Sequence, residues 1–473
     1  MTEVPRLPPG PPLPATLQSL AFIARPLPFL TACRRRYGDV FTLRTLFSGP
    51  TVVVGAPALI REVFTGPARV LRAGEANAAV VGPVLGRHSV LTLDGAEHLR
   101  QRRLLLPPFH GDRLRAYERT MREATHTAIE RWPVGRPFAL LPEMQAITLE
   151  VILRTVFGTR PGAREERLAR ALRDLLAPTT GLPRLLVYAL TRGRHGDPAR
   201  ARSLHVALAR ADDLLYREIA ERREDRDLAD RVDVCSVLLV ARDEEGRALT
   251  DEEVRDELMT LLVAGHETTA TALAWVFERL LRHPGAREVA ERELAAGDTR
   301  GREADEVGRA ERYGYLDAVI KETLRVRNVL AGVSRRLAEP REVGGHLLPA
   351  GTTVLPSITL AHRRADRFPR PGEFRPERFL GPGPPDTYTW IPFGGGQRRC
   401  LGAAFALLEL RTVVRTVLER THLEPVGRAE PIRRRGITLG PGRGARVVMS
   451  EAPSGRRREP AGHREATPLG AAG

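Results

Sequence analysis

Apolar positions along this chain recur mostly at helical spacing. They do so through residues 113–131, 143–157, 164–176 and 205–222, with Gly- and Pro-containing breaks between the runs. Alternating β-branched runs are fewer and shorter. Val40 to Leu46 and Thr51 to Val54 flank a Ser48-Gly49-Pro50 turn and predict a hairpin. Val343 to Pro349 and Thr352 to Leu355 predict further strands of the same small sheet. The longest helix is predicted to start at Thr250, where Thr250-Asp251-Glu252-Glu253 fits a capping box. The next proline is Pro284, so this helix has room for about 50 Å at 1.5 Å per residue. Another helix is expected to begin near Tyr315, and one after Cys400 has an apolar face ending at Val417.

Composition narrows the class. Of 473 residues 42% are hydrophobic, enough for a sizeable core. Net charge is +16, carried by arginine, since lysine occurs only at Lys321. An even scatter of arginine among acids fits a coding habit, and a basic face for an acidic partner is the sharper alternative. No zinc-finger spacing or RNP-like aromatic motif points to nucleic acid. Cys33, Cys235 and Cys400 are too few and too far apart for a disulfide framework, which suits a reducing cytoplasm. No run reaches the ~18 apolar residues of a membrane helix. The best candidate, Leu17 to Cys33, is broken by Arg25, Pro26 and Pro28, and no signal peptide is evident.

Chemistry concentrates in Phe393-Gly394-Gly395-Gly396-Gln397-Arg398-Arg399-Cys400-Leu401-Gly402. Glycines permit a tight turn whose N–H groups converge on one point. A cysteine under such donors, at a helix N-terminus beside two arginines, is expected to be stabilised as thiolate and to suit a soft acceptor such as haem iron. The stretch matches F-G-x-G-x-R-x-C-x-G at every fixed position. It resembles the cysteine-ligand loop of the cytochrome P-450 haem-thiolate monooxygenases.

Four weaker motifs follow the family's order. His98 and Arg102, spaced i, i+4, share a helix face and match its H-x-x-x-R. Ala264-Gly265-His266-Glu267-Thr268-Thr269 matches its A/G-G-x-D/E-T-T/S. His266-Glu267 also begins like the zinc-protease H-E-x-x-H, but position 270 is alanine, so His266 reads as an interior or pocket-edge histidine rather than a metal ligand. Glu322 and Arg325 match E-x-x-R, and Pro376-Glu377-Arg378 supplies the arginine that completes it. Where the family often has proline three residues after that E-x-x-R, this chain has Asn328.

The resemblance implies a mainly α fold with a small β-sheet lobe (α+β). Haem b would lie between the long helix and the cysteine loop. The implied single domain covers residues 25–448, after a proline-rich segment 1–24 and before a disordered tail 449–473. By resemblance, Cys400 is the axial ligand of the haem iron. His98, Arg102, Arg398 and Arg335 (or its neighbour Arg336) hold the propionates, with Phe393 in the same loop. Gly265 leaves space for oxygen, Glu267 and Thr268 deliver protons, and Glu322, Arg325 and Arg378 form a buried structural network. The implied reaction inserts one atom of O2 into a hydrophobic small molecule, such as a terpenoid, polyketide or fatty acid. Pocket walls are expected in the loop from about Arg72 to Val90, in Ala177 to Leu204, and in Asn328 to Ser334. Electrons would come from an acidic ferredoxin or flavodoxin with its NAD(P)H reductase. A cytoplasmic monomer with no nucleic-acid or membrane partner is expected. Alternatives are a peroxide-using or isomerising haem-thiolate enzyme and a non-catalytic haem-binding sensor.

Overall fold

A computed structural model describes residues 6–46, 49–109, 111–159, 162, 166–171, 198–297, 314–381 and 386–451. The helices are α1 (Ala15–Ala24), α2 (Pro26–Tyr37), α3 (Pro57–Thr65), α4 (Ala73–Leu85), α5 (Gly95–Leu105), α6 (Asp112–Ile129) and α7 (Leu140–Val156). They continue with α8 (Pro198–Arg223), α9 (Val234–Val240), α10 (Asp251–Leu281), α11 (Pro284–Gly297), α12 (Gly314–Val326), α13 (Ile358–Ala361) and α14 (Ala403–Arg420).

Helix α10 is the axis of the molecule. Its capping box is closed both ways: Thr250 Oγ1 accepts from the Glu253 N–H at 3.2 Å, and Glu253 Oε2 accepts from the Thr250 N–H at 2.8 Å. From Ala270 to Phe277 every residue is buried, because α6, α7, α12 and α14 surround this half and share one apolar core with it. The other half packs with α7, α8 and α9 in a second core. A helix apolar on all sides is a buried one.

The strands are β1 (Val40–Thr45), β2 (Gly49–Val54), β3 (Leu71–Arg72), β4 (Pro137–Ala139), β5 (Arg335–Leu337), β6 (Arg341–Val343), β7 (His346–Leu348) and β8 (Thr353–Pro356). The last four are β9 (Thr421–Pro425), β10 (Ile432–Arg435), β11 (Thr438–Pro441) and β12 (Arg446–Glu451). The main sheet runs β1-β2-β8-β5-β3, with β2 and β8 parallel and Thr51 opposite Thr353. Its apolar face packs on α3 and on Ile391, at the approach to the cysteine loop.

Four expectations are corrected. The run 343–349 is not a strand of the main sheet: it turns at Gly344-Gly345, whose φ angles are 60° and 79°, so that β6 and β7 form their own hairpin. Residues 73–85 are helix α4 rather than loop. Residues 7–24 are not a separate segment. Prolines lack an N–H but keep their carbonyls, and Pro8 and Pro9 accept hydrogen bonds from Thr42 Oγ1 and N at 2.7 and 3.0 Å. Fully buried Gln18 donates to the Pro11 and Leu13 carbonyls and accepts from the Arg44 N–H, fastening α1 to β1. Residues 449–451 belong to β12, paired with 421–423, rather than to a tail. Of the 164–176 run, 166–171 is helical. The expected pocket wall at 177–197 and the tail beyond 451 lie outside the described residues.

Candidate active site

The cysteine loop is shaped by what packs behind it. Gly394 and Gly396 have φ of 69° and 64°, and a Cβ on Gly396 would collide with the Phe64 carbonyl. The Cys400 N–H donates to the Phe393 carbonyl at 2.9 Å, closing the loop, while the Phe393 ring meets Trp390 edge-on at 6.4 Å. Cys400 lies three residues before α14, and its residue surface is exposed. The thiol itself is pushed up by burial, against pull-down by the Gly402 N–H, Arg102 and Arg399. Desolvation is the largest influence on the free thiol and the donors oppose it, so the thiolate expected from this loop goes with the charge of the bound iron.

Arg398 ties this loop to the turn before α5. Its guanidinium donates to the carbonyls of Val90 and Leu93 and to Asp94 Oδ1 at 2.6 Å. Asp94 was not anticipated from sequence. Its two oxygens also accept the N–H groups of Gly74 and Glu75, both at 2.9 Å, so it caps α4 from twenty residues away. The only sequence signal was an Asp at the mouth of α5, whose side chain caps another helix instead.

His98, Arg102, Arg335 and Arg398 converge. His98 is buried, and its pKa is lowered to about 3 by burial and then by Arg398, Arg102 and Arg335. Burial and Arg398 bring Arg335 down to about 10, and burial also lowers Arg102 and Arg398. Among the described residues, neither the Arg102 guanidinium nor the His98 ring makes a hydrogen bond. Arg335 donates only to the Ser334 carbonyl and stacks 5.4 Å over Phe64. Of the alternatives at this strand, Arg335 points inward, whereas Arg336 pairs with Glu75 at 2.9 Å on the outside. Asp94 is ion-paired with Arg398 and also acts on Arg335, so one carboxylate stands against three arginines and the buried to half-buried cluster carries excess positive charge.

At the centre of α10, Thr268 Oγ1 donates to the Ala264 carbonyl at 2.5 Å, the i−4 bond that loosens a helix locally. Glu267 Oε2 accepts from Gln145 Nε2 of α7 at 2.6 Å, while the other oxygen is buried without a partner. Burial raises the Glu267 pKa, against Gln145 and Arg435. Gly265 is corrected: a Cβ there would point at Ile152 of α7, 3.0 Å away, so this glycine sets helix–helix approach and Ala264 and Thr268 share the adjoining face. His266 Nε2 donates to the Gln145 carbonyl at 3.0 Å, in the interior.

The E-x-x-R network is assembled as its spacing predicts. Arg325 and Glu322 are fully buried, paired at 2.7 and 2.8 Å. The remaining Arg325 donors reach the carbonyls of His362, Pro371 and Glu373. Arg378 is the looser member, with Nε 3.4 Å from Glu322 Oε1 and a bond to the Arg370 carbonyl. His362 was missed: fully buried, its Nε2 accepts the Ile391 N–H at 2.8 Å, which links the network to the cysteine loop. A lone histidine in a loop gave no signal. Asn328 replaces ring rigidity with hydrogen bonds, donating to the Leu330 carbonyl and Thr359 Oγ1 at 2.7 and 2.9 Å.

The sequence profile described as Cytochrome P450 matches residues 7–445, and the chain belongs to that family. Its cofactor is haem with a cysteine thiolate ligand, and its general activity is haem-thiolate monooxygenation. The chain is 44% identical to cytochrome P450 135B1 of Mycobacterium tuberculosis, over 93% of this chain and 91% of the relative. It is 41% identical to cytochrome P450 137 of the same organism, over 94% and 91%. Retinoic-acid-bound cyanobacterial CYP120A1 shares the fold with a TM-score of 0.79 at 24% identity, covering 95% of this chain and 100% of that one. The P450DA haem domain does so with a TM-score of 0.80 at 23% identity, covering 96% and 100%. Among the described residues no helix is long and apolar enough to cross a membrane. The residues fit haem: a thiol on a glycine loop stands beside a cluster with excess positive charge, which is the complement of a dianionic porphyrin edge.

Proposed function

We propose that this protein is an O2-dependent monooxygenase acting on a hydrophobic small molecule, with Cys400 as the axial ligand. Haem bound there supplies oxygen activation, and thiolate donation favours O–O cleavage. Arg102, Arg335, Arg398 and His98 orient it by charge-assisted hydrogen bonds to its carboxylates. His98, held neutral by burial and the three arginines in the haem-free protein, has a ring N–H that would be available to such a carboxylate.

One observation carries the oxygen-dependent reading: Glu267, with one buried unpartnered oxygen, adjoins Thr268 at the middle of α10. Thr268 Oγ1 has lone pairs free to accept a proton while its own proton is held by Ala264. Burial favours the protonated form of Glu267, which suits a group that passes a proton to that hydroxyl side. Helix α4, whose sole charge is Glu75, offers an apolar wall for substrate. An acidic ferredoxin or flavodoxin with its reductase would dock where Arg399 is exposed beside Cys400, in a salt-sensitive encounter.

The test begins with the carbon monoxide spectrum of the reduced protein, where Cys400→His should abolish the red-shifted Soret band of thiolate ligation. A hydrophobic library screened by difference spectrum then supplies a substrate. With it, Thr268→Ala should divert reducing equivalents to hydrogen peroxide. Unchanged coupling would remove Thr268 from proton delivery. Turnover with peroxide but none with a reductase system would replace the proposal by a peroxide-using enzyme.

A further inference from the structure

The proton-handling acid has a counterpart that no motif contains. Arg435 ends β10, in the hairpin β10–β11 that lies along α10 and is anchored there by Trp275 Nε1 donating to the Leu439 carbonyl at 2.8 Å. The register puts Arg435 opposite Thr438. Its stem crosses Gly440: a Cβ at 440 would lie 3.1 Å from Arg435 Cδ and 3.7 Å from Thr271 Cγ2. Thr271 is one turn beyond Glu267 on the same face of α10, so the guanidinium is led along that face.

Both charged groups are half-finished. Arg435 Nε is buried without a partner, as is Glu267 Oε1. Among the described residues the Arg435 guanidinium makes no hydrogen bond or ion pair, and no N···O approach within 4.0 Å joins it to Glu267. Yet Arg435 is the charge that acts on Glu267. The groups facing Glu267 are Gln145 from α7, which is neutral, and Arg435 from β10. Its neighbour His266 is turned to the Gln145 carbonyl. Two opposite charges that act on each other without direct contact, each with an unused buried polar atom, can be joined by a bridging water.

We infer that Arg435 is a positioning residue for Glu267: it supplies the counter-charge that lets the buried carboxyl ionise, and it orders the water through which that carboxyl exchanges its proton. Gly440 suits this arrangement because a side chain there would crowd the Arg435 stem. The inference rests on the proposed relay role of Glu267, and its primary readout needs no turnover.

The experiment uses the ferric holoenzyme and infrared spectroscopy. The protonated-carboxyl band of Glu267 is identified by its loss in Glu267→Gln and followed against pH. Removing a nearby positive charge disfavours the carboxylate, so in Arg435→Gln the band should persist to higher pH by about one unit or more. Arg435→Lys should restore most of the original titration, and Arg435→Met serves if the Gln variant does not load haem. Intact thiolate signatures in carbon monoxide spectra establish that the site is assembled. An unshifted titration in both charge-removing variants would overturn the inference. So would a shift that Arg435→Lys fails to correct, since the effect would then be packing rather than charge. If the band shifts but Glu267→Gln leaves coupling to product unchanged, the relay role fails while the electrostatic pairing stands.

Discussion

Two clusters of buried and half-buried arginine flank the segment that leads to Cys400, and they are built on opposite principles. Around Arg325 every donor is used: five hydrogen bonds, two to Glu322 and three to carbonyls, with the Phe368 ring 4.9 Å away. Around Arg102 and Arg335 the donors are mostly idle among the described residues, and the carboxylate that acts there, Asp94, is hydrogen-bonded to Arg398. A buried charge that is fully paired inside the protein belongs to the structure. One left unpaired is costly unless a ligand completes it. The contrast separates scaffold from cofactor site with no ligand in view.

The sharpest way to break this contrast is to cut each cluster. Glu322→Ala strands Arg325 in the core and should cost about 3–5 kcal/mol, read by chemical denaturation, in haem-free and haem-loaded protein alike. A variant as stable as the parent would show that the network is not structural. Arg102→Gln should behave in the opposite sense. The haem-free protein should be no less stable, because an uncompensated charge has been removed. The loaded protein should lose about 1.5–3 kcal/mol of haem affinity in a haem-transfer assay. Equal destabilisation of both forms would erase the distinction.

The pH dependence sharpens it further. His98 is held at about 3 in the fold against an ordinary value of 6.5. The unfolded chain therefore binds a proton that the folded chain refuses, so stability falls as pH drops from about 6.5 towards about 3. His266 and His362 are lowered likewise, to about 4 and about 3, so the assignment needs the variant. His98→Gln should flatten the slope in the haem-free protein. It should matter less in the loaded form, where carboxylates offset the arginines that repel the imidazolium. The smallest effect belongs to a neutral, satisfied group: Asn328→Ala should cost about 1 kcal/mol through its two hydrogen bonds. A loss several times larger would place Asn328 with the structural network.

Much of the site was legible because its parts are short-range. The cysteine loop, the capping box at Thr250, the Glu322–Arg325 pair and the His98–Arg102 face all lie within ten residues, where backbone geometry fixes which side chains meet. The errors arose where a local rule met a distant neighbour. Gly265 was assigned to oxygen, yet it faces Ile152. The thiol was expected low on local donors, yet burial raises it. The proline-rich start was set apart, yet its carbonyls serve Thr42.

By itself, the sequence determined the helical frame, the thiolate loop and the family, since periodicity and motif spacing act over a few turns. Only the tertiary structure decided that Arg335 rather than Arg336 turns inward, that Asp94 joins α4 to Arg398, that His362 holds Ile391, and that the charge of Arg435 acts on Glu267. Each depends on elements tens to hundreds of residues apart. Which charges are left without a partner is a property of the packed whole: desolvation and pairing are settled only when every neighbour is in place.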